Sequence, residues 1–145
     1  MTEEIVIFDI DGTIADISER VHHVEKKPKN WDAFYQGMAQ DKAIHSMVRL
    51  CNLLYASGIQ IILCSGRHER HREETVNWLA RQGVSYHDLL LRKDSDRRSD
   101  TLVKREMLAR IDKTKVLFVV EDRSQVVEMW RSEGLVCLQC APGEF

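Results

Sequence analysis

Four short runs bring together the side chains that a phosphate-handling site needs. They are Asp9-Ile10-Asp11-Gly12-Thr13, Ser65-Gly66-Arg67, Lys104 and Glu121-Asp122-Arg123. Crowded together, Asp9, Asp11 and Asp122 would repel, so a cation is required to keep them ionised. Hard carboxylate oxygens without neighbouring His or Cys favour Mg²⁺, which takes one or two carboxylates plus a substrate phosphate. The Ser65 hydroxyl, the backbone amides beside Gly66 and the Lys104 ammonium would neutralise that phosphate from the other side. Asp9 and Asp11 are two residues apart and can hold different roles, one attacking phosphorus in line and the other handling the leaving-group proton. Taken singly the runs say little, because Asp-x-Asp-Gly is common in turns and in calcium loops. A calcium loop is disfavoured: Ile14 and Ile17 stand where further oxygen ligands belong, and position twelve of the loop is Arg20 rather than Glu.

The elements that must position these runs alternate. Apolar, β-branched stretches at Ile5–Phe8, Ile59–Cys64, Leu89–Leu91, Lys115–Val120 and Leu135–Gln139 read as strands. Helical patterns separate them at Ile44–Ala56, Glu69–Gln82, Thr101–Ile111 and Gln125–Glu133, three of these closed by Gly58, Gly83 and Gly134. Strands alternating with helices predict an α/β fold, a three-layer Rossmann-like parallel sheet covered on both faces. Ligands of such sheets bind outside the carboxyl ends of the strands, and three of the four runs follow a predicted strand directly. The polar interval 16–43, with Trp31, Phe34 and Tyr35, is too long for an ordinary loop and predicts a small helical insert or lid after the first strand.

Composition narrows the class. The 145 residues suit one domain spanning 1–145. No apolar run reaches the roughly 20 residues of a membrane span, and the acidic N-terminus is unlike a secretory signal, so a cytoplasmic protein without membrane contact is expected. A net charge of −2 gives no bulk attraction to nucleic acid. Two local stretches do: 65–72 carries a net +2, and 92–110 a net +3 from seven basic against four acidic residues. Cys137-x-x-Cys140 has metal-ligand spacing, but Cys51 and Cys64 do not form a second pair, so four free thiols are expected.

The runs also resemble a known superfamily. Phe8-Asp9-Ile10-Asp11-Gly12-Thr13-Ile14 looks like the first motif of the haloacid dehalogenase phosphotransferases, Cys64-Ser65-Gly66-Arg67 the second, Lys104 the third and Glu121-Asp122 the fourth. The stretches 92–104 and 120–131, with 134–137 and 141–145, resemble the 3′-phosphatase domain of bacteriophage polynucleotide kinase/phosphatase. No Gly-x-x-x-x-Gly-Lys-Ser/Thr loop accompanies them, so the kinase half is absent from this sequence. The resemblance implies the haloacid dehalogenase fold, with Asp9 as nucleophile forming a phospho-aspartate. It makes Asp11 the general acid–base, its backbone carbonyl also touching Mg²⁺, and Asp122 the carboxylate metal ligand. Ser65 and Lys104 would hold the transferring phosphate, and Arg20, Gly66 and Arg67 would bind substrate beside it; from the local charge, Arg97 is expected to meet the polymer backbone farther along. Glu121 departs from the aspartate of the phage enzymes and would meet the metal through water. Mn²⁺ would substitute for Mg²⁺.

The expectation is therefore an Mg²⁺-dependent phosphatase of 3′-phosphorylated or 2′,3′-cyclic RNA or DNA ends, active in nucleic-acid repair beside a separate kinase and ligase. A small-molecule phosphatase or nucleotidase of the same superfamily is the alternative. A phospho-accepting signalling domain fits less well, since its accepting aspartate would follow the third strand, where Arg92-Lys93 stand.

Overall fold

The computed structural model describes residues 3–145. Ile5–Phe8 forms β1 and is buried along its whole length, as a central strand covered on both faces must be. Its side chains alternate between two cores, following the two-residue repeat of a strand. Val6 and Phe8 pack with Val48, Cys51, Trp78 and Leu79. Ile5 and Ile7 pack with Val103, Met107, Val127 and Trp130.

After β1 the chain leaves the sheet. Ala15–Asp16 (β2) pairs antiparallel with Lys42–Ala43 (β3), and two short helices, α1 (His22–Glu25) and α2 (Trp31–Gln36), lie between them. The Asn30 side chain caps α2 by accepting from Ala33 N at 3.0 Å. The insert has its own core of Ile17, Val24, Phe34, Tyr35 and Met38, onto which Trp31 and Phe145 pack. The interval predicted as a helical insert thus contains a small strand pair at its base.

The alternation then resumes through α3 (His45–Ala56), β4 (Gln60–His68), α4 (Arg72–Arg81), β5 (Asp88–Arg92), α5 (Asp100–Leu108), β6 (Val116–Glu121), α6 (Ser124–Ser132) and β7 (Cys137–Gln139). The main sheet has the order β5-β4-β1-β6-β7, and every neighbouring pair is parallel. Residues of α3 and α4 cover one face and residues of α5 and α6 the other, which gives the three layers expected.

One boundary differs in a way that matters for the site. The second strand runs on to His68, so Ser65-Gly66-Arg67 lies within β4 rather than after it. Its ladder with β5 slips between Cys64 and His68, so these residues leave the regular pairing while remaining extended. All four cysteines are free, with Cys51, Cys64 and Cys137 buried and Cys140 exposed. Among the described residues no helix is long and apolar enough to cross a membrane.

Candidate active site

Asp9 continues the line of β1, its N–H donating to Val120 O at 3.0 Å, which aims its side chain at the carboxyl ends of β4 and β6. Ser99 caps α5 by accepting from Leu102 N, and the helix carries Lys104 on the face that buries Val103, Met107 and Leu108. Lys104 Nζ donates to Asp9 Oδ1 at 2.7 Å and to Glu121 Oε1 at 2.8 Å. Burial opposes the ammonium charge, but the Asp9 and Glu121 carboxylates outweigh it and hold the Lys104 pKa well above its ordinary value. Thr13 Oγ1 lies 3.1 Å from Asp9 Oδ2 and 3.4 Å from Asp122 Oδ1.

Oxygens of Asp9, Glu121 and Asp122 all lie within 4.8 Å of one another, and all three residues are buried. Burial, then the Asp9 charge, raises the pKa of both Glu121 and Asp122. Such crowding is what a divalent cation relieves, so this oxygen-only donor set fits a hard metal ion. Glu121 Oε1 is already held by Lys104 and, at 3.3 Å, by Trp130 Nε1, leaving Asp122 with fewer competing partners. Gly12 is required beside it: φ is +85°, and a Cβ there would stand 1.9 Å from Asp122 Oδ2. The Cys140 thiol reaches Thr13 Oγ1 at 3.6 Å, so a cysteine does approach the site. Burial pushes its pKa up to about 11.

Asp11 lines the same small space as Asp9, Glu121 and Asp122 but bonds to a different set of partners. Its carboxylate accepts from Arg20 Nη2 at 2.6 Å and from Arg67 Nη2 and Nε at 2.7 and 3.0 Å. Those guanidinium groups, Arg67 first, overcome burial and hold its pKa well below the usual carboxylate range. Arg20 is also gripped by Asp41 at 2.8 and 2.5 Å and donates to Phe34 O at 2.9 Å. Arg67 donates to Thr75 Oγ1 at 3.0 Å. Both arginines, expected on substrate, are buried and bonded to acids here.

Around this core runs a second charged layer. Asp100 accepts from Arg92 at 2.5 Å and Arg123 at 3.0 Å. A Cβ on Gly66 would come within 2.5 Å of Asp100 Oδ1, so only glycine fits there without displacement. Gly66 O accepts from Arg92 Nε at 2.9 Å and from Tyr35 Oη of the insert at 3.2 Å. Ser65 Oγ accepts from Arg67 N at 3.1 Å. The Arg123 guanidinium lies 5.3 Å from the Trp31 ring and 5.0 Å from the Phe145 ring.

The structure therefore gathers Asp9, Asp11, Ser65, Gly66, Lys104, Glu121 and Asp122 at one rim, with Arg20 and Arg67 behind Asp11. Arg97 is exposed on the wall of a neighbouring cavity. Sequence reasoning missed Asp41 and Asp100. Asp100 had one readable sign, since it stands four residues, one helical turn, before Lys104 and so shares its face. Asp41 had none.

A family model described as the polynucleotide kinase PNKP phosphatase domain matches residues 3–145. A chain in a structure of a Pnkp1/Rnl/Hen1 complex is 32% identical with a TM-score of 0.83, the match covering 99% of this chain and 48% of that one. A chain of the Pnkp1/Rnl/Hen1 RNA repair complex is also 32% identical, with a TM-score of 0.82, 98% of this chain and 43% of that one. This chain thus spans about half the length of those relatives. A haloacid dehalogenase-like family hydrolase of Streptococcus pneumoniae shares the fold at 12% identity, with a TM-score of 0.66 over 94% of this chain and 83% of its own.

Proposed function

The chain belongs to the phosphatase-domain family of polynucleotide kinase PNKP, and from that premise we propose that it removes 3′-phosphates from polynucleotide ends. The observation that carries the reading is the setting of Asp9, a buried carboxylate held from opposite sides by Lys104 at 2.7 Å and Thr13 at 3.1 Å. Two bonds orient the group, and its neighbours Glu121 and Asp122 supply the place for a cation.

Asp9 attacks phosphorus in line, so that the Asp9–phosphorus bond forms as the bond to the sugar oxygen breaks. Water then attacks the aspartyl phosphate, freeing inorganic phosphate and restoring Asp9. Lys104 has a third N–H beyond the two given to Asp9 and Glu121, and with the Ser65 hydroxyl it steadies a phosphoryl oxygen. Asp9 and Asp122 would hold Mg²⁺ or Mn²⁺, with Glu121 acting through water and Asp11 through its backbone carbonyl. The cation supplies charge neutralisation on the transferring group.

Asp11 protonates the leaving sugar oxygen and later takes a proton from water. Clamped by Arg20 and Arg67 it is ionised, the form that accepts a proton. An arriving phosphate competes for those same guanidinium groups, and loosening the clamp lets Asp11 take up and deliver a proton. The insert over 16–43, tied to the rim through Tyr35 and Arg20, acts as the lid. The setting is nucleic-acid repair, in which a kinase and a ligase supply the neighbouring steps.

The test is phosphate release from 3′-phosphorylated, 2′,3′-cyclic and 5′-phosphorylated oligonucleotides and from nucleoside monophosphates. Release from 3′-phosphorylated ends in preference to the 5′-phosphorylated ones is expected. Preference for free mononucleotides over every oligonucleotide would replace this reading with a nucleotidase.

A further inference from the structure

Two sizeable cavities adjoin the acidic rim, and their charges differ. One, of about 550 Å³, shares Gly12, Asp122 and Phe145 with it and is lined by Asp16, Glu25, Asp122 and Glu144 without a single cation. A polyanion is repelled there. The other, of about 450 Å³, shares Trp31, Tyr35, Asp100 and Arg123 with the small space around Asp9. Its wall holds six cations against four carboxylates, and its volume falls within the roughly 300–1,000 Å³ of small-molecule sites.

Most of those cations are already engaged. Arg92 and Arg123 are held by Asp100, Arg98 by Asp96 and Glu106, and Arg70 lies 3.7 Å from Asp94. Arg97 and Lys29 have no carboxylate partner among the described residues. Lys29 sits with its Nζ 5.8 Å from the half-buried Trp31 ring. Burial first, and then the nearby Arg123 and Lys27 charges, lowers its pKa, and with six cations facing four carboxylates on the wall the cavity has an excess of positive charge that an anion would relieve.

We propose that this second cavity seats the terminal nucleoside of the substrate, its base against Trp31 and its 5′-phosphate between Arg97 and Lys29. The inference rests on the polynucleotide reading above and deepens it: the unit recognised is a nucleoside 3′,5′-bisphosphate rather than a bare phosphate ester. An aromatic face stacks on any base, so the site accepts all four nucleobases. The specificity lies in the second phosphate.

Two measurements test this. The first compares KM for a nucleoside 3′-monophosphate and the corresponding 3′,5′-bisphosphate at low salt. The second phosphate is expected to lower KM about tenfold, as two charge-assisted contacts allow, and the double variant Lys29→Ala/Arg97→Ala to shrink that ratio to about twofold or less. Equal KM values in the unsubstituted protein, or a ratio that survives the double substitution, overturn the proposal. The second uses fluorescence. Trp78 and Trp130 are fully buried, so Trp31 is the tryptophan a ligand can reach. Adenosine 3′,5′-bisphosphate should quench emission of the Asp9→Asn protein, and adding Trp31→Phe should abolish the change; quenching that persists places the base elsewhere. If 3′-phosphorylated oligonucleotides are dephosphorylated but the ratio is flat, only the subsite fails. If p-nitrophenyl phosphate is hydrolysed and no 3′-phosphorylated nucleotide is, the polynucleotide reading fails with it.

Discussion

Asp9, Lys104 and Glu121 alternate in charge, and each depends on the next. Lys104 is the shared partner of two buried carboxylates, so Lys104→Met leaves both without a counter-charge. Removing one partner of a buried ion pair costs about 3–5 kcal/mol, and urea unfolding in chelator should read a loss of that size together with abolished phosphate release. Asp9→Asn behaves differently. The amide keeps the shape and still offers an oxygen to Lys104, so the melting temperature should stay near that of the unsubstituted protein while turnover falls to background. Residual turnover above a few per cent would remove Asp9 from the nucleophile's role. Glu121→Gln and Asp122→Ala separate the two remaining acids. Glutamine can still accept from Lys104, and a water-mediated metal contact tolerates it, so KM for Mg²⁺ should rise only a few-fold. Asp122→Ala should raise it far more, and the reverse order would exchange the two assignments.

At the scale of elements, the insert and the sheet meet through Arg20. Its guanidinium joins Asp11 on the rim to Asp41 at the base of the insert, and Arg67 adds a longer contact of 3.9 Å to Asp41. Asp41→Ala leaves Arg20 with Asp11 but frees one side of it. Expected is a stability loss of about 1–3 kcal/mol, that of a charge-assisted bond, with faster amide exchange over 22–36 and unchanged exchange in the sheet. Uniform exchange throughout would mean that Asp41 serves the whole fold and not the insert. The sheet itself was legible because a strand buried on both faces must be a continuous apolar run, and Ile5–Phe8 and Ile61–Cys64 show it plainly. The rim followed, since β1, β4 and β6 each end in a charged or hydroxyl-bearing run. Less legible was who would bond to whom. Arg20 and Arg67 read as phosphate ligands, yet their carboxylate partners Asp11 and Asp41 are 9 and 21 residues from Arg20, and no local pattern announces such pairings. The end of β4 was misplaced too: the strand stays extended to His68 while its ladder with β5 slips between Cys64 and His68, and pairing across strands is not written in the local sequence.

For the molecule as a whole, the acidic cluster sets stability against metal binding. Three buried carboxylates within 4.8 Å of one another have one ion-pair partner among the described residues, Lys104, and Asp122 has its pKa raised, by burial first and by Asp9 and Glu121 next. A carboxyl whose folded pKa lies above its unfolded value costs stability as pH climbs past the unfolded value of about 4, and the cost grows until the folded pKa is reached. At pH 7 without metal, Asp122→Asn should therefore melt at a higher temperature than the unsubstituted protein. At about pH 3 and below the two should converge, because Asp122 is then protonated whether the chain is folded or not. Metal reverses the order. Mg²⁺ at about 100 times its Kd adds ~2.7 kcal/mol to the folded state, roughly 5–11 °C for a chain of this size, while Asp122→Asn should gain less than about 2 °C because its metal ligand is gone. Differential scanning calorimetry of both proteins, in chelator and in Mg²⁺ at pH 7 and at about pH 3, reads all of these differences. A variant less stable than the unsubstituted protein in chelator at pH 7 would mean that the crowded carboxylates carry no strain for the metal to relieve, and the Mg²⁺ assignment would lose its physical basis.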